Sequence, residues 1–183
     1  MGIAAGCLEV PTPPPKGALD VKDVRTSEGM SLESACVPSG VEMCFDALDN
    51  NCNGVIDEGC GLATGILQFT IAWAEAAAEV DLTVTGPDGD EAQTDKTTSA
   101  GLRKDRDCPG SDNQCFGQNV ENVVLEEGRP RSGRYRAVVL LRDPGEAPPP
   151  IKVRFSARIG QRHFTSVIVL KDRDEQREFE FTL

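Results

Sequence analysis

The segment between Cys44 and Cys60 holds the residues of this chain whose types and spacing are best suited to chemistry. Calcium takes about six to eight oxygen ligands, and calcium-binding loops place oxygen donors on alternate residues before a glycine and a backbone carbonyl. Counting Asp49 as the first position puts side-chain oxygens on the first, third and fifth positions and Gly54 on the sixth. We therefore predict a Ca²⁺ site formed by Asp46, Asp49, Asn51, Asn53, Val55 (through its carbonyl), Asp57 and Glu58.

The twelfth position of this loop is Cys60, where a helix-loop-helix calcium site would place a bidentate glutamate. Asp46 or Glu58 would then supply the missing carboxylate. The alternative is that Asn53-Gly54 forms only a tight turn among solvated carboxylates. Crowding of four carboxylates favours a bound cation, because without one they repel each other.

Six of the seven cysteines are predicted to form disulfides, which favours an oxidising compartment outside the cytoplasm. Zinc is disfavoured because the chain lacks Cys-x-x-Cys pairs and has a single histidine, His163. Cys108 and Cys115 would close one polar loop. Three pairings are open to Cys36, Cys44, Cys52 and Cys60; we favour Cys44–Cys52 with Cys36–Cys60, although the sequence cannot choose between them.

The run from Cys44 to Cys60 resembles the MopE-type metal-binding motif of bacterial secreted proteins. Phe45 is inserted after the first cysteine, Ala47 replaces a glycine, and Asn51 and Asn53 replace aspartates. The family label carries an association with copper. The loop contains no histidine or methionine, and copper prefers nitrogen or sulfur donors, so calcium remains the expected ion.

A second calcium ion could lie at the loop closed by Cys108 and Cys115. Its ligands would be Asp105, Asp107, Asp112 and Glu121. A plain disulfide-clipped loop explains the same residues and is the favoured interpretation.

Hydrophobic residues alternate with polar residues through most of the chain after residue 65, which is typical of strands buried on one face. Leu67, Phe69, Ile71 and Trp73 show the pattern, as do the five alternate residues from Ile151 to Ile159. Turn sequences such as Gly86-Pro87-Asp88-Gly89 separate the runs. We predict an all-β fold, an antiparallel β-sandwich of seven to eight strands without a long helix. Trp73 and Tyr135 would lie in its core or at its rim.

Residues 67–89, with their Trp73 and Pro87-Asp88-Gly89, resemble a YfaP-like family of secreted bacterial β-sandwiches. Gly133-Arg134-Tyr135 fits the same spacing. Val80 and Thr83 depart from the family pattern, which puts any ion-binding loop of that family in doubt here. The resemblance implies a surface or envelope location and no known reaction.

Three regions are predicted: a lipobox-like start with a Pro-rich flexible tether (1–34), a Cys-rich metal-binding module (35–61) and the sandwich domain (65–183). The stretch Gly2–Gly6 before Cys7 resembles the end of a bacterial lipoprotein signal, which would make Cys7 a lipidation site; the alternative is an incidental free thiol. The module is too small to fold unaided, so disulfides and metal would stabilise it.

We expect no enzymatic activity, since no nucleophile elbow, zinc-protease motif or phosphate loop is present. The net charge of −11 argues against a nucleic-acid partner. The expected function is that of an exported, lipid-anchored, calcium-binding adhesion or ligand-binding module. It would lie at the outer membrane or cell surface, or be secreted. Its partner would be a protein or a glycan, and it would contact the membrane only through the anchor. The alternatives are a self-associating envelope or filament component, and an accessory domain of a secreted enzyme system.

Overall fold

A computed structural model describes residues 18–110 and 115–183 of the chain. Within these residues it contains nine strands and no helix: β1 Lys22–Thr26, β2 Leu67–Trp73, β3 Glu79–Thr85, β4 Arg103–Cys108, β5 Val120–Leu125, β6 Arg134–Asp143, β7 Ile151–Ile159, β8 Arg162–Leu170 and β9 Gln176–Thr182. The strands form a four-stranded sheet in the order β1-β9-β6-β3 and a five-stranded sheet in the order β4-β5-β2-β7-β8. All pairings are antiparallel, which confirms the predicted sandwich.

Two strands were missed by the alternation of hydrophobic residues. β4 is rich in charge and pairs with β5. β1 lies within the segment predicted as a flexible tether, where it pairs with β9, and Glu33 forms a bridge to Thr165 in β8. The tether prediction is therefore wrong for residues 22–26 and for Glu33. Both strands are edge strands that extend an existing sheet through backbone hydrogen bonds, which a sequence pattern does not record.

Aromatic side chains fill the space between the sheets. The Tyr135 and Phe181 rings lie 5.1 Å apart, and the Phe155 and Phe179 rings 5.5 Å apart. Burial of each such side chain contributes roughly 1.5–3 kcal/mol to stability. Tyr135 is fully buried and Trp73 nearly so, which confirms their expected place in the core or at its rim.

The central strand β2 is buried on both faces. Phe69 and Ile71 face the sandwich core, whereas Gln68 and Thr70 point to the outer face of the five-stranded sheet and are still fully buried. The cysteine-rich segment covers them: the Gln68 amide donates a hydrogen bond to the Ile56 carbonyl at 3.0 Å. This outer face therefore positions the predicted metal loop.

Ser156 in β7 fastens the same contact by donating a hydrogen bond from its hydroxyl to the Ala47 carbonyl. Both residues are fully buried. Because a buried carbonyl that loses its donor retains its desolvation cost, we expect Ser156→Ala to lower the free energy of unfolding by about 1–3 kcal/mol in urea denaturation.

Ser166 in β8 provides a matched control. It is also buried, but its hydroxyl has no hydrogen-bond partner within the described residues. Ser166→Ala should leave stability unchanged or raise it. Equal losses in the two variants would contradict the importance of the Ser156 hydrogen bond.

Candidate metal-binding loop

Two interlaced disulfides hold the predicted metal loop. Cys36 pairs with Cys52 and Cys44 with Cys60, each spanning 16 residues. The favoured pairing, Cys44–Cys52 with Cys36–Cys60, is therefore wrong. Even spacing along the chain leaves all three pairings open, and the path of the chain across the sheet decides which cysteines meet. The Cys108–Cys115 disulfide is confirmed.

Asp49 shapes the turn at the centre of the loop. Its two carboxylate oxygens accept hydrogen bonds from the backbone N–H groups of Asn53 at 3.0 Å and Gly54 at 2.8 Å. Gly54 has a φ of +90°, a conformation that residues with a Cβ rarely adopt. The glycine therefore performs the role that the sequence pattern assigned to it, a sharp reversal of the chain around the first carboxylate.

Asn51, Asn53 and Glu58 converge on one point. The side-chain amides of both asparagines donate hydrogen bonds to Glu58 Oε1. Their own side-chain oxygens accept the N–H groups of Asn53 and Val55, both at 2.9 Å. Three of the predicted ligand side chains thus lie in mutual contact, and Val55 belongs to the same turn.

Glu58 is poised to remain charged at this point. Burial alone would raise the pKa of its carboxyl, but hydrogen bonds from Asn51 and Asn53 hold the pKa below its ordinary value. Its second oxygen, Oε2, is buried and has no hydrogen-bond partner among the described residues. A buried carboxylate oxygen without a partner is costly unless a donor or cation satisfies it.

Glu42, which the sequence reasoning missed, borders this cluster. Its carboxylate accepts the N–H groups of Asn50 and Asp57, both at 3.0 Å. Burial and the nearby charge of Glu58 raise the pKa of Glu42. It precedes Cys44 and so fell outside the calcium-loop pattern, although its place between Cys36 and Cys44 marks it as part of the same module.

The carboxylates of Asp46 and Asp57 bind backbone N–H groups and do not contact the cluster around Glu58. The two oxygens of Asp57 accept the N–H groups of Asp46 at 3.2 Å and Ala47 at 3.0 Å. Asp46 accepts the Leu48 N–H at 3.0 Å and pairs with Arg154 of β7 at 3.4 Å. Asp57 is fully buried. These two carboxylates therefore have structural partners that leave little for an ion.

The residues predicted for a second calcium site are divided between the two faces of the five-stranded sheet. Asp105 accepts hydrogen bonds from Asn122 at 3.2 Å and from the Ala63 N–H at 2.7 Å. Glu121, the neighbour of Asn122, points to the opposite face, where Lys104 Nζ lies 2.9 Å from Glu121 and 3.4 Å from Asp107. An ammonium group thus lies between these two carboxylates, in the place that a second calcium ion would need. Asp112 lies outside the described residues, as does Cys7.

A groove of about 470 Å³ opens where the cysteine module meets the sheet. Its apolar lining includes Phe45, Trp73 and the exposed Val167. Lys152 and Arg154, both on β7, add two positive charges. The groove thus combines apolar surface with cations on a chain of net charge −11.

Within the described residues, no group of three or more histidine, cysteine, aspartate or glutamate side chains is arranged as a metal site. The candidate donors are instead amide, carboxylate and backbone oxygens, which are the ligands that calcium prefers. The same part of the chain has no helix that is long and apolar enough to cross a membrane. The three disulfides fit a location outside the cytoplasm.

Comparison of the chain with family models, curated proteins and solved structures finds no match.

Asp57 makes the stability of the loop depend on pH. Burial raises the pKa of its carboxyl from 3.8 to about 6. Its contribution to stability is therefore complete below about pH 4 and is lost as the pH rises through about 6, a change on the order of 3 kcal/mol. In chelator, wild-type protein should lose stability across this window, and Asp57→Asn should flatten the slope in urea denaturation.

Asp90→Asn serves as the control, since Asp90 is exposed and outside the module. It should retain the wild-type slope. A slope that is the same in Asp57→Asn and wild type would contradict the assignment.

Proposed function

We propose that the chain is an exported, calcium-binding surface protein that acts as a non-catalytic ligand-binding or adhesion module, tethered through a lipid on Cys7. The observation that carries this proposal is the convergence of Asn51, Asn53 and Glu58 beside Glu58 Oε2, which is buried and accepts no hydrogen bond from residues 18–110 or 115–183. A cation would satisfy that oxygen, and so would a proton shared with the neighbouring Glu42 carboxyl, which hydrogen-bonds with Glu58. The hard oxygen donors around it favour calcium.

The residues present fit calcium. Asp49, Asn51, Asn53, Glu58 and the Val55 carbonyl are hard oxygen donors, and Glu42 adds a further carboxylate beside Glu58. The oxygen and nitrogen of an amide exchange places when its final bond rotates by half a turn, so both asparagines can offer oxygen in place of N–H. A cation there would also relieve the repulsion between Glu42 and Glu58.

The role of calcium would be to set the shape of the module and not to react. The loop has few apolar residues of its own, and Ile56 and Ala47 are buried against the sheet. An ion that binds only the folded loop stabilises it by mass action. It would thereby fix the wall of the groove that Phe45 and Asp46 provide.

Calcium should raise the thermal stability of chelator-treated protein. An affinity on the order of 10⁻⁴–10⁻³ M is expected for an extracellular module, and a hundredfold excess over Kd contributes about 2.7 kcal/mol. Glu58→Gln should weaken binding by at least about tenfold, which corresponds to about 1.4 kcal/mol. Isothermal titration and thermal unfolding with and without calcium measure both effects.

The matched control is Glu127→Gln, which makes the same change at an exposed position outside the loop. Its calcium response should equal that of the wild type. Wild-type protein that neither binds calcium nor gains stability from it would refute the calcium part of the proposal.

The groove supports an acidic ligand, and we propose an acidic glycan. Sugars present apolar ring faces and, in acidic glycans, carboxylates, which match Phe45, Val167 and the cations Lys152 and Arg154. Lys152 has no ion pair within the described part of the chain, whereas Arg154 pairs with Asp46. Lys152 is therefore the cation most available to a ligand.

Binding of a uronic-acid oligosaccharide should fall by about tenfold or more in Lys152→Glu, because the substitution replaces attraction with repulsion next to the ligand. Lys171→Glu makes the same change at an exposed position outside the groove lining and should bind as the wild type does. A glycan array followed by titration measures this. Equal losses in both variants would indicate a general charge effect and contradict binding in the groove.

Self-association as an envelope or filament component is the second candidate, and the sheet edges argue against it. The edge strand β1 carries the exposed charged residues Lys22, Asp23 and Arg25, and charged edges resist pairing with another copy. Glu33 covers part of β8, an edge strand of the five-stranded sheet. A role as an accessory domain of a secreted enzyme system gains no separate support from these contacts.

A further inference from the structure

A buried lysine and a buried glutamate face each other across two neighbouring strands. Lys104 Nζ, from edge strand β4, lies 2.9 Å from Oε2 of Glu121 in β5. The Glu121 side chain has no exposed surface, and that of Lys104 is 13% exposed. An amine and a carboxyl group are thus held in contact, with little access to water, on two strands whose register fixes their positions.

The surroundings of Glu121 favour its neutral, reactive form. Burial raises the pKa of Glu121 well above its ordinary value; the charge of Lys104 opposes this shift, and a hydrogen bond with Asp107 adds to it. A neutral carboxylic acid is a far better electrophile than a carboxylate, which repels a nucleophile.

The backbone N–H of Leu82 polarises the Glu121 carboxyl group. This N–H, on β3 of the opposite sheet, donates a hydrogen bond of 2.6 Å to Glu121 Oε2. The other oxygen, Oε1, accepts no hydrogen bond from the described residues. Oε2 is therefore held by a donor that would stabilise negative charge developing on it, which makes Oε1 the oxygen that would depart as water.

Asp107 completes the group as a proton acceptor. It is aligned with Glu121 in the register of β4 and β5, and its Oδ1 lies 3.4 Å from Lys104 Nζ. Burial alone would lower the pKa of Lys104, but the charges of Glu121 and Asp107 raise it. The ammonium must therefore give up a proton before its nitrogen can attack, and Asp107 is the carboxylate in place to take it.

We propose that Lys104 and Glu121 join in an intramolecular amide bond, which covalently links strand β4 to strand β5. Asp107 acts as the proton-transfer residue and the Leu82 N–H as the donor to the developing oxyanion. Residues held in contact in this way react at a high effective concentration, which can replace an external catalyst.

The reaction is a balanced condensation. The Lys104 ammonium transfers one proton to the Asp107 carboxylate, and the freed nitrogen pair attacks Cδ of the protonated Glu121 carboxyl group to form the C–N bond. The bond from Cδ to Oε1 then breaks, and the departing hydroxyl takes a second proton from the nitrogen and leaves as water. The products are the amide, one water molecule and a protonated Asp107, so no oxidant, reductant or further reactant is needed.

The bond would remove a costly arrangement from the interior. The largely buried charges of Lys104 and Asp107 retain much of their desolvation penalty, whereas the amide and the protonated Asp107 that replace them are neutral. It would also prevent the polar edge strand β4 from separating from β5, independently of the three disulfides.

The test is the mass of the purified, fully reduced and denatured wild-type protein. We expect a deficit of one water molecule and, after proteolysis, a branched peptide that joins the segments around Lys104 and Glu121. Trypsin should fail to cut after Lys104. The branched peptide distinguishes this bond from water loss at Asp88-Gly89, a sequence able to form a cyclic imide. A branch-free digest with ordinary cleavage after Lys104 overturns the proposal and leaves a buried ion pair.

Two variants test the roles of the residues. Lys104→Arg keeps the positive charge but removes the nucleophile, and Asp107→Asn removes the proton acceptor; both should show the full mass of their sequences. Lys96→Arg, at an exposed position, should keep the water deficit and the branch. Branch formation in Lys104→Arg would overturn the assignment of the nucleophile, and full, equally rapid branch formation in Asp107→Asn would overturn the role of Asp107.

Discussion

The buried polar outer face of the five-stranded sheet is the constraint on which the arrangement of the cysteine module depends. Gln68, Thr70, Asn122 and Ser156 are fully buried there, so their polar groups require partners. The module supplies several of them, with the carbonyls of Ile56 and Ala47 accepting from Gln68 and Ser156. These bonds set the path of the chain between Cys44 and Cys60, and that path decides which side chains of the loop come into contact.

The carboxylates of the module divide into two structural roles because of this docking. Asp57 and Asp46 lie on the side of the loop that contacts the sheet, where they bind backbone N–H groups. Asp57 thereby holds Ala47 in a left-handed conformation, with a φ of 56°, that alanine adopts only when its surroundings impose it. Glu58 lies beside Asn51 and Asn53 and retains a buried oxygen that accepts no hydrogen bond in the described part of the chain. Acidic residues close together in sequence are therefore not equivalent as ligands.

Buried polar groups also find partners inside the sandwich, around Glu121. Glu121 lies between the two sheets and accepts the Leu82 N–H from an edge strand of the opposite sheet. That N–H would otherwise be buried without this partner, and Lys104 Nζ, from the neighbouring edge strand, lies 2.9 Å from the same carboxyl oxygen. Lys104, Asp107 and Glu121 thus form a polar cluster at the edge of the hydrophobic core. Their close packing also brings an amine, an acid and a proton acceptor into contact.

The sequence by itself determined the all-β class, the seven strands that alternate in hydrophobicity, the participation of Cys108 and Cys115 in one disulfide, and the turn at Gly54. Each of these depends on local periodicity or on the backbone freedom of one residue. Tertiary structure alone decided that Cys36 pairs with Cys52 and that the charged residues 22–26 and 103–108 extend the sheets. It also decided that Glu42 lies beside Glu58, whereas Asp57 binds backbone N–H groups. Those outcomes depend on which distant groups share a buried surface, and spacing along the chain carries no record of it.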